Sequence, residues 1–301
     1  MGKRVLLFIL TNAMVILTIS IVTSLLGINR YLTAQGINYQ SLLVFCAIWG
    51  MGGAFISLLM SKWVAKTSMG VQIIDPERPN AEQKAILDTV HNLCRKAGLQ
   101  TMPEVGIYDS PELNAFATGP NKNNSLVAVS SGLLANMNQP EVEGVLSHEI
   151  SHITNGDMVT MTLIQGTINA FAMFLSRVIA YIISIGMSSR NQDQQGAQPS
   201  PMMFYLLTMV FDVLFTLLGS LVVAAFSRHR EYRADHDGAG LVGKEKMISA
   251  LQRLQTATDV VDTRAPSLAA LKISQQSRFL NLFASHPPLE DRIARLQKLP
   301  A

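Results

Sequence analysis

The sequence predicts an α+β protein, mainly helical and embedded in a membrane, with four transmembrane helices and a small β-sheet in its soluble part. Three observations carry this. Long apolar stretches come in two pairs, polar residues gather in one block between the pairs and another after them, and the first block contains short strand-like runs. Composition agrees, since 49% of the 301 residues are hydrophobic and only 15% charged, a balance that suits a membrane protein. A net charge of +3 gives no argument for nucleic acid as a partner. Cys46 lies in an apolar stretch and Cys94 in a charged one, so no disulfide framework or Cys-x-x-Cys metal site is available, and a reducing, cytosolic setting fits.

Val5–Ile28 is long enough to cross a bilayer and too long for a signal-peptide core, so it reads as a retained anchor. The short connector Asn29–Gln40 joins it to Ser41–Met60, giving an N-terminal transmembrane hairpin over residues 1–60. Residues 61–157 form the first soluble block. An amphipathic helix is predicted over Ala81–Ala97 and strands over Glu104–Tyr108, Asn114–Thr118 and Leu126–Ser130, with Gly119-Pro120-Asn121 as the turn between the last two. A helix then opens at Pro140, with Glu141 and Glu143 in its first turn, and buries Val142, Leu146, Ile150 and Ile153. Asn155-Gly156 stops it, and Asp157 reads as the cap of the succeeding segment.

A second hairpin over residues 158–226 is predicted from Met158–Met187 and Met202–Phe226, joined by the polar loop Ser188–Pro201. Its first turns carry Thr160, Thr162, Gln165, Thr167 and Asn169 and are expected to protrude and wall a cleft. Arg177 and Asp212 are the only charges in these two spans and lie within reach of each other in an antiparallel hairpin, as a structural ion pair. Residues 227–301 supply the second soluble block, and the two blocks together make one domain of ordinary size. Lys3 and Arg4, Lys62 and Lys66, and Arg228, Arg230 and Arg233 flank the spans on one side, which places both termini and both blocks in the cytosol.

Chemistry is concentrated in the run His148-Glu149-Ile150-Ser151-His152. On a helix, positions i and i+4 share a face, so both imidazoles can bind one metal while Glu149 reaches a water on it as general base. Zinc suits two imidazoles, a third ligand and an open position for water. The metzincin pattern would need glycine and histidine where Asn155 and Met158 stand, so the third ligand lies elsewhere. The second hairpin leaves and re-enters on one side and so returns the chain to the metal helix. Glu231, just beyond it, is the candidate ligand; Asp235, four residues on, is placed to hydrogen-bond a ligand imidazole, His148 before His152. His229 and His236 are rival ligands.

Paired N-terminal spans, the His148–His152 run, a second hairpin and the Glu231–Asp235 helix together resemble the HtpX family of bacterial membrane metalloproteases, relatives of the prenyl-protein endoproteases. Two further runs match. Asn114-Ala115-Phe116-Ala117 resembles the family's substrate-binding edge strand, and Ser285-His286-Pro287-Pro288 followed by Arg292 resembles its late His-Pro motif. The resemblance implies a gluzincin-like domain holding one zinc ion per chain. It further implies substrate pairing along Asn114, Ala115, Phe116 and Ala117, and oxyanion stabilisation by His286 with Arg292 behind it. From the residues alone, the strand is equally an ordinary core hairpin. His286 is equally the start of a helix burying Leu289, Ile293, Leu296 and Leu299.

The biology it implies is quality control at the bacterial inner membrane, where misfolded or damaged membrane proteins are cleaved beside other quality-control proteases. A maturation protease for one membrane or lipidated substrate is the alternative. A zinc-binding scaffold or carrier is disfavoured, because no histidine lies in any predicted span.

Overall fold

The computed structural model describes residues 13, 16–22, 24–25, 32–33, 36–189, 200–259 and 283–300. In chain order its elements are strands β1 (Leu32–Thr33) and β2 (Gly36–Ile37), helix α1 (Tyr39–Met69), β3 (Gln72–Ile73), α2 (Ala81–Lys96), β4 (Glu104–Tyr108), β5 (Ala115–Asn121) and β6 (Asn124–Ser130). Six helices follow among the described residues: α3 (Ser131–Asn136), α4 (Gln139–Asn155), α5 (Asp157–Ser189), α6 (Pro201–Val242), α7 (Lys244–Asp259) and α8 (Leu289–Gln297). The chain divides into two compact units, Met1–Ser57 with Thr162–Val223, and Leu58–Met161 with Ala224–Ala301.

Within the first unit, β1 and β2 pair as a short antiparallel ribbon ahead of α1. Helices α1, α5 and α6 are long and apolar enough to cross a membrane, three among the described residues. The first expected span, Val5–Ile28, lies largely outside those residues, as does most of the loop Ser188–Pro201. Leu43, Phe171, Ile182, Met209 and Leu218 expose their side chains along these helices. Such a surface is costly in water and neutral in lipid, while the helical backbone satisfies its own polar groups. Gly50 makes one close crossing possible, because a Cβ there would stand 2.3 Å from the backbone nitrogen of Ala170. Arg177 Nη1 lies 3.5 Å from Asp212 Oδ1, and the guanidinium sits 5.6 Å from the centre of the Phe45 ring.

In the second unit a four-stranded sheet runs in the order β3-β4-β6-β5, with β4 and β6 parallel and the other pairs antiparallel. Val105, Val127 and Val129 face one side, where they pack with Ile86, Val90, Leu146 and Ile150 of α2 and α4. Tyr108, Leu126 and Ala128 face the other, against Val71 and the last turns of α1. This alternation is the period of two of a β-strand. The expected turn at Gly119-Pro120-Asn121 is instead strand. β5 continues through Asn121, and the chain reverses at Lys122 and Asn123. Gly119 adopts φ +146 at an irregularity in the register between Thr118 and Asn121, and Pro120 is tolerated because β5 is an edge.

Helix α4 begins one residue before Pro140. Asn138 and Glu141 form a reciprocal capping box, and Gly156 ends the helix in the left-handed conformation at φ 67. Gly144 brings α7 close to α4, since a Cβ there would meet Lys246 O at 2.7 Å and Ala250 Cβ at 2.8 Å. The largest departure from the sequence reading is α6. The apolar span and the Glu231–Asp235 segment, read as separate elements, are one helix of 42 residues. Ser227-Arg228-His229-Arg230 changes the polarity at that junction but contains no glycine or proline to end the helix.

Candidate active site

Helix α4 presents His148 and His152 one turn apart, and α6 presents Glu231, which is fully buried, with Asp235 one turn later. His148 Nε2 lies 3.1 Å from His152 Nε2 and 3.3 Å from Glu231 Oε2, and His152 Nε2 lies 3.4 Å from Glu231 Oε1. Ligands about 2.0–2.1 Å from a tetrahedral metal stand roughly 3.3 Å from one another. The two imidazole nitrogens and the Glu231 carboxylate, which offers a different oxygen to each, therefore stand at about the spacing that one dication requires. Among the described residues, His148, His152 and Glu231 are the group able to hold a metal; the rivals His229 and His236 are not part of it. Glu231 Oε2 is buried without a hydrogen bond of acceptable geometry, although imidazole nitrogens of His286 and His148 stand 2.9 and 3.3 Å away. A cation between the ligands would satisfy that oxygen.

Both imidazoles turn Nε2 inward because a carboxylate engages the other nitrogen. Asp235 Oδ1 lies 2.9 Å from His148 Nδ1, the pairing expected of it. Asp157 Oδ2 lies 2.7 Å from His152 Nδ1, a contact the sequence did not disclose. The left-handed turn at Gly156 folds the chain back within five residues of His152, and helical periodicity cannot anticipate such a return. Arg292 was expected behind His286. Its guanidinium instead clamps Asp235, with Nε donating to Oδ2 at 2.7 Å and Nη2 to Oδ1 at 2.6 Å. His286 is 62% exposed at its side chain and borders a cavity that His148, Glu149 and Glu231 also line, with Nδ1 2.9 Å from Glu231 Oε2.

Charge follows this geometry. Burial works to raise the Glu231 carboxyl, but His148, His152 and His286 outweigh it and hold the group ionised well below the usual carboxylate range. Burial likewise works to lower His152, and Asp157 and Glu231 reverse it, raising the imidazole to about 9. His148 is raised for the same reason by Asp235 and Glu231, against its burial. Asp235 is lowered by Arg292 and His148, again against burial. The ionised carboxylates thus draw positive charge to the two imidazoles. A bound metal would take the place of the protons, since it needs both imidazoles neutral.

Glu149 faces the cavity from α4, and its Oε2 accepts a 2.9 Å hydrogen bond from the Ala117 amide. Since β5 pairs with β6 through Asn114, whose carbonyl accepts from Ser130 N at 2.9 Å, strand alternation aims the main-chain groups of Ala115 and Ala117 away from β6. Phe116 lies on the opposite face, its ring 5.6 Å from that of Tyr108. Of the four strand residues singled out in the sequence, Asn114 and Ala115 therefore border the cavity with Glu149 and Ala117 touches its carboxylate, while Phe116 serves the core.

Residues 80–300 match the model of peptidase family M48. A protease HtpX homolog of Bacillus licheniformis is 50% identical, covering 99% of this chain and 99% of its own length. Protease HtpX of Shewanella pealeana is 52% identical over 98% and 99% of the two chains. Among solved structures, the crystal structure of S. mikatae Ste24p shares the fold, with a TM-score of 0.62 at 17% identity over 98% of this chain and 67% of that one.

Proposed function

This chain belongs to peptidase family M48 and is a membrane metalloprotease, and from that premise we propose that it is a zinc endopeptidase of membrane-protein quality control. The observation that supports the zinc most is the spacing of the two imidazole nitrogens and the Glu231 carboxylate, which fits three ligands of a tetrahedral metal with a fourth position open to water. When bound, the ion supplies a water of lowered pKa and polarises the scissile carbonyl. Glu149 takes the proton of the attacking water on its carboxylate and passes it to the leaving amine. His286, exposed at the cavity rim, donates to the oxygen that gains charge on the carbonyl, and Arg292 fixes Asp235 and through it His148. Ala115 and Ala117 offer main-chain groups to an extended peptide, which recognises a strand without demanding a sequence.

Loose recognition of that kind suits misfolded or damaged membrane proteins. Residues 61–157 and 227–301 then form the catalytic domain. Lys62 and Lys66 on α1, with Arg228, Arg230 and Arg233 on α6, support a cytosolic location for it at a bacterial inner membrane. The test is cleavage of an unfolded soluble protein by the detergent-purified, zinc-supplied chain beside its Glu149→Gln variant. Cleavage by the wild type that chelator and the substitution both abolish is the expected result. Equal cleavage by both proteins would overturn the mechanism, and a single cut in one partner with none in unfolded protein would favour a maturation protease.

A further inference from the structure

We infer that Asp157 is a positioning residue of the metal centre, its carboxylate holding the His152 imidazole with Nε2 turned toward the metal. The inference rests on the reading of His148, His152 and Glu231 as a metal site. Asp157 is 5% exposed, and its Oδ2 stands 2.7 Å from His152 Nδ1. With Nδ1–H donated to that oxygen, the tautomer is fixed and the Nε2 lone pair faces Glu231 and His148. His148 is held in the same way by Asp235, but the two carboxylates differ. Asp235 also accepts two bonds from Arg292, whereas no arginine or lysine pairs with Asp157 among the described residues. Its negative charge is directed at one imidazole and strengthens that nitrogen as a ligand.

Asp157 is also the first residue of α5, where any acidic side chain is favoured by the helix dipole. A helix-start role alone would be met by the side chain lying over the helix's own amides. Here the chain reverses at Gly156 and carries the carboxylate back onto His152. One side chain thereby joins the first turn of an apolar helix to a ligand of the site.

The experiment measures zinc affinity by competition with a chromophoric chelator, using the full chain in detergent. Wild type is compared with Asp157→Ala, Asp157→Ser and Asp157→Asn, and His152→Ala serves as the lost-ligand control. Serine can still start a helix but is too short to reach the imidazole, and asparagine keeps an acceptor oxygen without the charge. Loss of such a partner typically weakens metal binding by about 10–100-fold. That loss is expected for alanine and serine, with a several-fold loss for asparagine and an unchanged melting temperature of the zinc-free serine variant. The visible spectrum of the cobalt-substituted protein should shift in the same variants, and kcat should fall while KM holds. Zinc affinity of the serine variant equal to wild type would reduce Asp157 to a helix start and overturn the inference. Should alanine or serine not fold, the asparagine variant decides by the same reading. If the wild type itself binds no zinc, the metal assignment fails and this inference with it; wild-type binding that Asp157→Ser leaves intact sinks the inference alone.

Discussion

Replacing Arg292 with methionine should destabilise the protein strongly, and replacing Asp235 with asparagine as well should restore part of the loss. The guanidinium and carboxylate are 7% and 2% exposed and meet through two charge-assisted bonds of 2.7 and 2.6 Å. At an effective dielectric constant of about 20, unit charges about 4 Å apart attract by roughly 4 kcal/mol, offset in part by the cost of burying them. Removing one partner leaves the other buried and uncompensated, which costs about 3–5 kcal/mol. For a domain of some 150–250 residues that corresponds to a fall in Tm of about 6–20 °C. The assay is thermal unfolding of the four proteins of the cycle, purified in detergent and saturated with chelator so that the metal contributes nothing. A coupling of about 2 kcal/mol or more is expected, with the double variant well short of the summed single losses. Single-variant losses that add within about 0.5 kcal/mol would show that the pair is not energetically coupled and would refute the reasoning.

Reversing Arg177 or Asp212 alone should lower the yield of folded protein, and reversing both should recover it, as read by gel filtration in detergent; equal behaviour of all three variants would remove the ion pair as the reason for those charges. His286→Ala should reduce kcat about 100–1,000-fold while zinc stays bound, and unchanged turnover would leave His286 only a place before α8. Glu104 responds to pH through its lysines: burial pushes its carboxyl up, but Lys66 and Lys62 outweigh this and hold it below the usual range. A depressed carboxyl contributes stability above its unfolded pKa of about 4.3 and loses it as pH falls through the lower folded value. Glu104→Gln should therefore flatten the acid limb of the stability profile, by no more than about 1 kcal/mol because the side chain is 39% exposed.

The features legible in the sequence were local or covalently imposed. The helix of His148 and His152 carried a start at Pro140, an apolar back and a stop within one stretch, and Glu231 followed from the requirement for a third ligand together with the return of the chain. Asp157 and Arg292 were harder because their partners are fixed by three-dimensional return. Asp157 reaches His152 through one left-handed glycine, and Arg292 reaches Asp235 across 57 positions. Strand β3 has two residues, too few to show alternation, and takes its conformation from pairing with β4. The continuity of α6 was missed because hydropathy marks where the lipid contact stops and says nothing about where the backbone stops being helical.

An amide hydrogen serves one strong acceptor well, and that of Ala117 has two claimants: the Glu149 carboxylate, which holds it in this structure, and any peptide carbonyl that comes to lie along β5. A strand that takes the hydrogen hands a lone pair back to Glu149. On the proposed mechanism, arrival of the chain to be cut and release of the group that accepts a proton would then be a single exchange, and side chains that merely brush past the cleft would leave Glu149 tethered.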